Sequence, residues 1–317
     1  MKHKVLVMGN AVVDMSFGSV QFPILPGEHQ FMTKRLITPG GVANTLLCAV
    51  RLGLQMQVVG NLGDDEMADL WRAPLVAEGI DVSGMVTYKN RVTSALIAFS
   101  DANGEHVFLG HRGMLHIDPF IFPAHWQEAI EASDALFIYG WSYLSMGPEA
   151  NLEALKIANA ANIPVFYDPG PEIPNTPPEW RDAMIEQSTV VLLTDEDATM
   201  ILGKRLPPEA MADRIRKMGP ELVILKLGAE GMIGHTAVQT IHQPGLEVPV
   251  KDLTGAGDSV LAAVMLSYLA GHNLPKMLAI ANATGAACVQ KFGAGVNVPY
   301  KHEVLDVLKK SGSNYSF

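Results

Sequence analysis

Two cysteines in 317 residues, Cys48 and Cys288, each inside an apolar helical pattern, exclude a disulfide framework; both read as small buried hydrophobes. Basic charge is scarce as well. Lys and Arg number 23 against 33 Asp and Glu, the formal charge is −10, and no basic run exceeds Lys309-Lys310. A nucleic-acid surface needs clustered Lys and Arg, so that class of partner is excluded. No stretch offers the roughly eighteen uninterrupted apolar residues of a membrane span. The apolar run at 5–8, after Met1-Lys2-His3-Lys4, is too short for a signal peptide. These absences describe a soluble, cytoplasmic chain. Repeats and low-complexity segments are absent too. What is present is a hydrophobic content of 48% against 18% charged residues, ample for one large domain, or a main domain with an appendage.

Short apolar runs at 5–8, 56–59, 135–138, 165–167, 190–193 and 222–225 predict buried strands. Helical patterns lie between them at 42–52, 66–78, 149–161 and 209–218, and two more close the chain at 259–269 and 274–290. Strand–helix alternation with continuously apolar strands predicts a parallel sheet covered on both faces. Two segments break the pattern. Residues 14–36 carry Pro23, Pro26 and Gly27 among extended residues, and 93–99 and 105–109 flank Asp101-Ala102-Asn103-Gly104, where Asn-Gly signals a hairpin. Together they predict a small β lid, formed near 14–36 and 91–112, standing off a single domain that spans 1–317. Pro171, Pro174, Pro177 and Pro178 mark a surface loop.

The chemistry concentrates in glycine turns. Asp252-Leu253-Thr254-Gly255-Ala256-Gly257-Asp258-Ser259 follows an alternating stretch, 246–250, that predicts a short strand, and it opens a helix. Such a turn leaves backbone N–H groups unpaired and aimed at one point, which suits a phosphate. Asp258 at its end reads either as a helix N-cap or as a base for an attacking hydroxyl. A second turn, Pro39-Gly40-Gly41-Val42-Ala43-Asn44, opens another helix; Asn44 is a two-way hydrogen-bonding group or a solvated first-turn residue. Gly60-Asn61-Leu62-Gly63-Asp64-Asp65 and Lys226-Leu227-Gly228-Ala229-Glu230-Gly231 are weaker signals, and Lys226 is a phosphate ligand or simply an exposed strand end.

Asp14 after the first strand, the Gly-Gly-x-x-Asn helix start, the Gly-x-x-Gly-Asp-Asp and Lys-x-Gly-x-x-Gly turns and the final Gly-Ala-Gly-Asp occur in an order that resembles the ribokinase-like family of ATP-dependent carbohydrate kinases, the phosphofructokinase-B family. The likeness runs from about residue 5 to 299. It implies a three-layer α/β/α sandwich with a mainly parallel central sheet and a small β lid. It implies Asp258 as base and the N–H groups of Gly255, Ala256 and Gly257 as an anion hole. Asp14, Gly41 and Asn44 match positions that hold substrate hydroxyls, while Lys226, Gly228, Gly231 and Asn282 match the nucleotide side. ATP and magnesium are the implied cofactors. A monovalent cation, potassium, is implied near Asp252, Thr254, Cys288, Lys291, Gly293 and Asn297.

The chain departs from that pattern in three places. Pro39 replaces a glycine, Leu253 replaces a threonine, and Thr194-Asp195-Glu196-Asp197 stands where the family has Asn-x-x-Glu near magnesium. Asp197 keeps oxygen chemistry in the magnesium vicinity with a shorter reach; an acidic helix start capped by Thr194 explains the same residues. Met15, Phe17, Arg112, Met114 and Trp141 are candidate substrate-lining residues. Arg112 either meets a phosphate on the substrate or is a solvated lid residue. The expected activity is phosphorylation of a hydroxyl on a small sugar or polyol. Alternatives are a nucleoside kinase and a catalytically weak, ligand-binding homologue. Exposed lid strands predict a homodimer formed through the lid.

Overall fold

Alternate residues of each apolar strand serve opposite faces of one sheet. The computed structural model describes residues 2–101, 105–113 and 122–317, with His106 given by its backbone. Its strands, in chain order, are β1 (Lys4–Met8), β2 (Ala11–Gly18), β3 (Lys34–Gly41), β4 (Gln55–Gly63), β5 (Asp81–Tyr88), β6 (Ser94–Ser100) and β7 (His106–His111). Then follow β8 (Ala135–Tyr139), β9 (Val165–Asp168), β10 (Val190–Thr194), β11 (Leu222–Lys226), β12 (Gly231–His235) and β13 (Thr240–Pro244). Nine of them form one sheet in the order β13-β12-β11-β10-β9-β8-β1-β4-β5. Pairing is parallel from β5 through β11, and antiparallel only at β11–β12 and β12–β13.

Val5 and Val7, Val190 and Leu192, Leu222 and Ile224 enter one core; Leu6 and Met8, Val191 and Leu193, Val223 and Leu225 enter the other. Helices Ala43–Leu52, Glu66–Ala77, Ala256–Leu269 and Leu274–Cys288 cover the first face. Helices Ala124–Glu131, Pro148–Ala160, Pro178–Glu186, Asp195–Leu202 and Pro208–Arg216 cover the second. The result is a three-layer α/β/α arrangement, as a sheet apolar on both faces requires.

A second, four-stranded sheet has the order β3-β2-β6-β7. It pairs Asp14 with Thr38 of β3 on one side and with Leu96 of β6 on the other. The strands that flank the expected Asn-Gly hairpin are antiparallel neighbours; Asn103 and Gly104 themselves lie outside the described residues, as does Met114.

Two expectations need correction. Residues 246–250 are not a strand. The alternation holds as far as Pro249, since Leu246 and Val248 pack on the core while Glu247 and Pro249 are exposed, and Val250, exposed, breaks it; the segment lies beyond the end of β13 and pairs with no strand among the described residues. The preceding hairpin, β12 and β13, was not expected, because β13 is Thr-Ile-His-Gln-Pro, whose partly inward residues are Ile241 and the polar Gln243. The helix expected from 259 begins earlier, at Ala256, which carries Asp258 into its first turn.

Candidate active site

Asp258 does not cap its helix. The N-cap is Gly255, with φ of +78°, a left-handed conformation that favours glycine. Asp258 sits one turn in, and its carboxylate faces another helix: Asn44 Nδ2 donates to Oδ2 at 2.9 Å and Thr45 Oγ1 to Oδ1 at 3.3 Å. Asn44 is buried, not solvated, and its Oδ1 accepts from Gly295 N at 2.8 Å. Both ends of that amide are therefore fixed. Burial pushes the Asp258 carboxyl up to about 6. Asp14, 8% exposed, is pushed up to about 7, first by burial and then by the Asp258 charge. Gly40 makes room for it: a Cβ there would lie 2.1 Å from Asp14 Oδ2. The sequence reading placed Gly41 in the site and overlooked Gly40, Thr45 and the Gly295 amide.

Lys226 ends β11 and turns inward. Its Nζ is 2.8 Å from Asp168 Oδ2 and 3.4 Å from where a Cβ on Gly257 would stand, so a buried ammonium adjoins the start of the Ala256–Leu269 helix. Burial opposes that charge, but Asp168, with help from Asp197 and Asp258, holds the ammonium above its ordinary range. The first-turn N–H groups of a helix lack intrahelical acceptors. Of the three candidates here, Ala256 N reaches back to Leu253 O at 3.3 Å. Asp168 was overlooked: within Tyr167-Asp168-Pro169-Gly170 it reads as a turn residue, and its Oδ1 does accept from Gly170 N at 2.9 Å.

The other expected positions fall into two loops. Gly228 lies in a 3₁₀ turn after Lys226, Gly231 begins β12, and Asn282 Nδ2 donates to Pro244 O at 2.7 Å, on the β13 side of that turn. Across the helix start, Asp252 ties the cation-side residues together. Its Oδ1 accepts from Thr254 N and Oγ1 at 2.9 and 2.7 Å, and its Oδ2 from Gly293 N at 2.9 Å. Cys288 Sγ donates to Thr254 O at 3.6 Å, Lys291 N donates to Cys288 O at 3.1 Å, and Asn297 Nδ2 donates to Phe292 O at 2.8 Å. Asp197 closes a capping box with Thr194: Thr194 Oγ1 accepts from Asp197 N at 3.0 Å and Asp197 Oδ2 from Thr194 N at 2.9 Å.

A cavity of about 540 Å³ opens between the two sheets; Asp14, Gly41, Asn44, Gly255 and Asp258 line it, with Arg112 and Trp141 at another wall. Arg112 Nη2 donates to the buried Glu172 at 3.1 Å, and its guanidinium lies 5.9 Å from the Trp141 ring centre. Glu172 is in turn bonded by Asn175 Nδ2 at 3.0 Å. Of the other expected lining residues, Met15 packs against the core and Phe17 stacks on Phe99 at 5.8 Å within the second sheet. Among the described residues no helix is long and apolar enough to cross a membrane.

Comparison with known proteins places this geometry. The chain is 27% identical to the probable fructokinase-2 of Arabidopsis thaliana over 319 residues, covering 93% of this chain and 95% of that one. It is 24% identical to the ATP-dependent ribose-1-phosphate kinase of Halopiger xanaduensis, covering 92% and 93% of the two chains. Its fold matches an Arabidopsis thaliana ribokinase complexed with ribose and ATP, with a TM-score of 0.85 at 22% identity over 98% of this chain and 99% of that one. A nucleoside kinase of Methanocaldococcus jannaschii matches with a TM-score of 0.79 at 22% identity, over 97% and 98%. The fold is thus ribokinase-like. The model of the pfkB family of carbohydrate kinases matches residues 2–301, and the chain belongs to that family of sugar kinases.

Proposed function

We propose that this kinase transfers the terminal phosphoryl group of ATP to a hydroxyl of a small sugar or polyol, with Asp258 as the base. The observation that carries the reading is the placing of a part-buried carboxylate and a part-buried ammonium at one helix start. Asp258, raised to about 6 and oriented by Asn44 and Thr45, faces the cavity. Lys226 Nζ stands beside Gly257 in the same turn. A base whose pKa lies just under neutrality is ionised at pH 7 yet still takes a proton readily. The N–H groups of Gly255, Ala256 and Gly257, with Lys226, form the place where the negative charge of the moving group is stabilised.

In this reading Asp14, Gly41 and Asn44 orient the sugar, with Arg112 closing over it. Asp258 accepts the proton of the attacking hydroxyl as the oxygen–phosphorus bond forms, and the leaving nucleotide departs toward Lys226, Gly228, Gly231 and Asn282. Magnesium neutralises the nucleotide phosphates when bound. Asp168 and Asp197, both buried and both acting electrostatically on Lys226, suit a hard cation by their oxygen chemistry. The carbonyl-rich loop around Asp252, Thr254, Cys288, Lys291, Gly293 and Asn297 suits potassium on the same ground. The four-stranded sheet acts as a lid that excludes water, and its exposed Ile37, Val107 and Leu109 are the ground for a lid-mediated homodimer in the cytoplasm. Light scattering tests the dimer; a monomer at micromolar concentration removes it.

ATP turnover against a panel of hexoses, pentoses, sugar phosphates and nucleosides tests the activity. Turnover of a sugar supports the reading. Preference for a nucleoside supports the alternative suggested by Tyr139 and Trp141 in the cavity wall. Saturable binding with no turnover, in magnesium and potassium, means a binding protein that has lost catalysis.

A further inference from the structure

The cavity has a corner that none of the roles above uses. Gly9 N donates to Val59 O at 3.2 Å and the parallel register pairs Met8 with Val59, so the chain continues in step and brings Asn10 alongside Asn61. Asn61 Nδ2 donates to Ser145 O at 2.9 Å, which adds a third polar residue. All three are deeply buried, at 8%, 1% and 4% exposure for Asn10, Asn61 and Ser145. Yet Asn10 Oδ1, Asn61 Oδ1 and Ser145 Oγ have no hydrogen-bond partner among the described residues. Buried polar groups are seldom left unpaired, and three together at the carboxyl ends of parallel strands imply a partner from outside the chain.

Asn10 and Ser145 line the same cavity as Asp14 and Asp258. Asn10, Val12 and Asp14 all line it, as residues two apart on extended chain share a face. Four residues at roughly 3.3 Å each put Asn10 and Asp14 about 13 Å apart along the backbone. The corner therefore addresses a different part of the substrate from the hydroxyls at Asp14. Its groups are two amides and a hydroxyl. Among the described residues that line the cavity the one Lys or Arg is Arg112, and it is paired with Glu172.

We propose that Asn10 and Ser145, with Asn61 behind them, form a second substrate subsite, which takes an uncharged hydrogen-bonding group remote from the hydroxyl that is phosphorylated. The enzyme accordingly selects an uncharged substrate over a sugar phosphate. This rests on the cavity being the sugar pocket, not on Asp258 being the base.

Calorimetric titration of the full chain without ATP separates the two ideas. The probes are D-fructose, D-ribose, D-ribose 1-phosphate and adenosine, and the variants are Asn10→Leu and Ser145→Ala. The expected result is that an uncharged probe binds best to the wild type. Each variant then weakens that probe by about tenfold, the scale of one lost hydrogen bond, with ATP binding within about twofold and Tm unchanged or higher, because an unpaired polar group has been removed. A fall in Tm with unchanged sugar affinity means the corner serves an internal water and overturns the subsite. Preference for D-ribose 1-phosphate, or no saturable binding of any probe, overturns it equally. Loss of turnover in Asp258→Asn, or its persistence, leaves these binding results untouched.

Discussion

Asp168 and Lys226, 58 positions apart in the chain, meet at 2.8 Å beside the first turn of the helix that carries Asp258. The contact holds the ammonium above its ordinary range in a place where burial alone would lower its pKa. Asp168→Asn removes the negative partner, so the Lys226 pKa falls and its charge is lost at lower pH. The expected outcome is an apparent ATP constant raised by about tenfold at neutral pH, rising further as pH increases, with the sugar constant unchanged. Asp168→Glu should restore part of it. If the magnesium requirement moves instead and the ATP constant does not, Asp168 acts on the metal and not on Lys226.

Asp258→Asn keeps the size of the side chain and one of its two accepting oxygens, and deletes the proposed base. Turnover should fall by about a hundredfold or more, while calorimetric affinities for sugar and nucleotide stay within a few-fold. In the wild type, kcat should rise with pH through the region near 6 and then level off, because the ionised carboxylate is the active form. The variant should lose that acid limb. A variant with wild-type kcat removes the mechanism.

Asp14 couples stability to pH. Its folded-state pKa is raised to about 7 from an ordinary carboxylate value of 3.8, so the native protein holds a proton that the unfolded chain has released. Its contribution to stability is full below about pH 4 and declines as pH rises to about 7. Asp14→Asn should therefore raise Tm at pH 8 and leave it nearly unchanged at pH 4. Asp14→Ala should raise the sugar KM far more than the ATP KM. Thermal melts and initial rates check both; a Tm that falls at pH 8 in Asp14→Asn contradicts the sign.

The Thr194–Asp197 capping box separates structural from metal duties. Thr194→Ala should cost about 1 kcal/mol, as loss of an N-cap does. Asp197→Asn keeps an acceptor for Thr194 N, so its Tm should hold. A rise in the magnesium concentration needed for half-maximal rate would then assign Asp197 to the metal, and an unchanged requirement leaves it as a cap alone.

Much of this was legible in the chain because parallel strands buried on both faces write themselves as continuous apolar runs. Asp258 and Asn44 were legible because glycine turns before helices have a recognisable composition, and Asp14 and Lys226 only through the order of motifs that resembles the family's. Asp168 was not, since its partner is brought by sheet order and not by sequence spacing. Gly40 and Gly41 look alike in sequence, and only the structure gives each its reason: Gly40 leaves room for the Asp14 carboxylate, and Gly41 has a φ of +58°. The 246–250 segment shows the converse failure. Alternation reports an extended chain with one side packed, and a strand also needs a neighbour.

Asn44 joins parts of the chain that are made far apart in time. Its amide binds Asp258, 214 positions later, and Gly295, 251 positions later. Synthesis proceeds from the N-terminus, and contacts of such long sequence separation form late. A growing chain thus displays Asp14 and Asn44 for most of its synthesis without Asp258. On the proposed mechanism the protein becomes competent to spend ATP only when the helix that carries Asp258 docks, so a chain stopped before it is chemically silent.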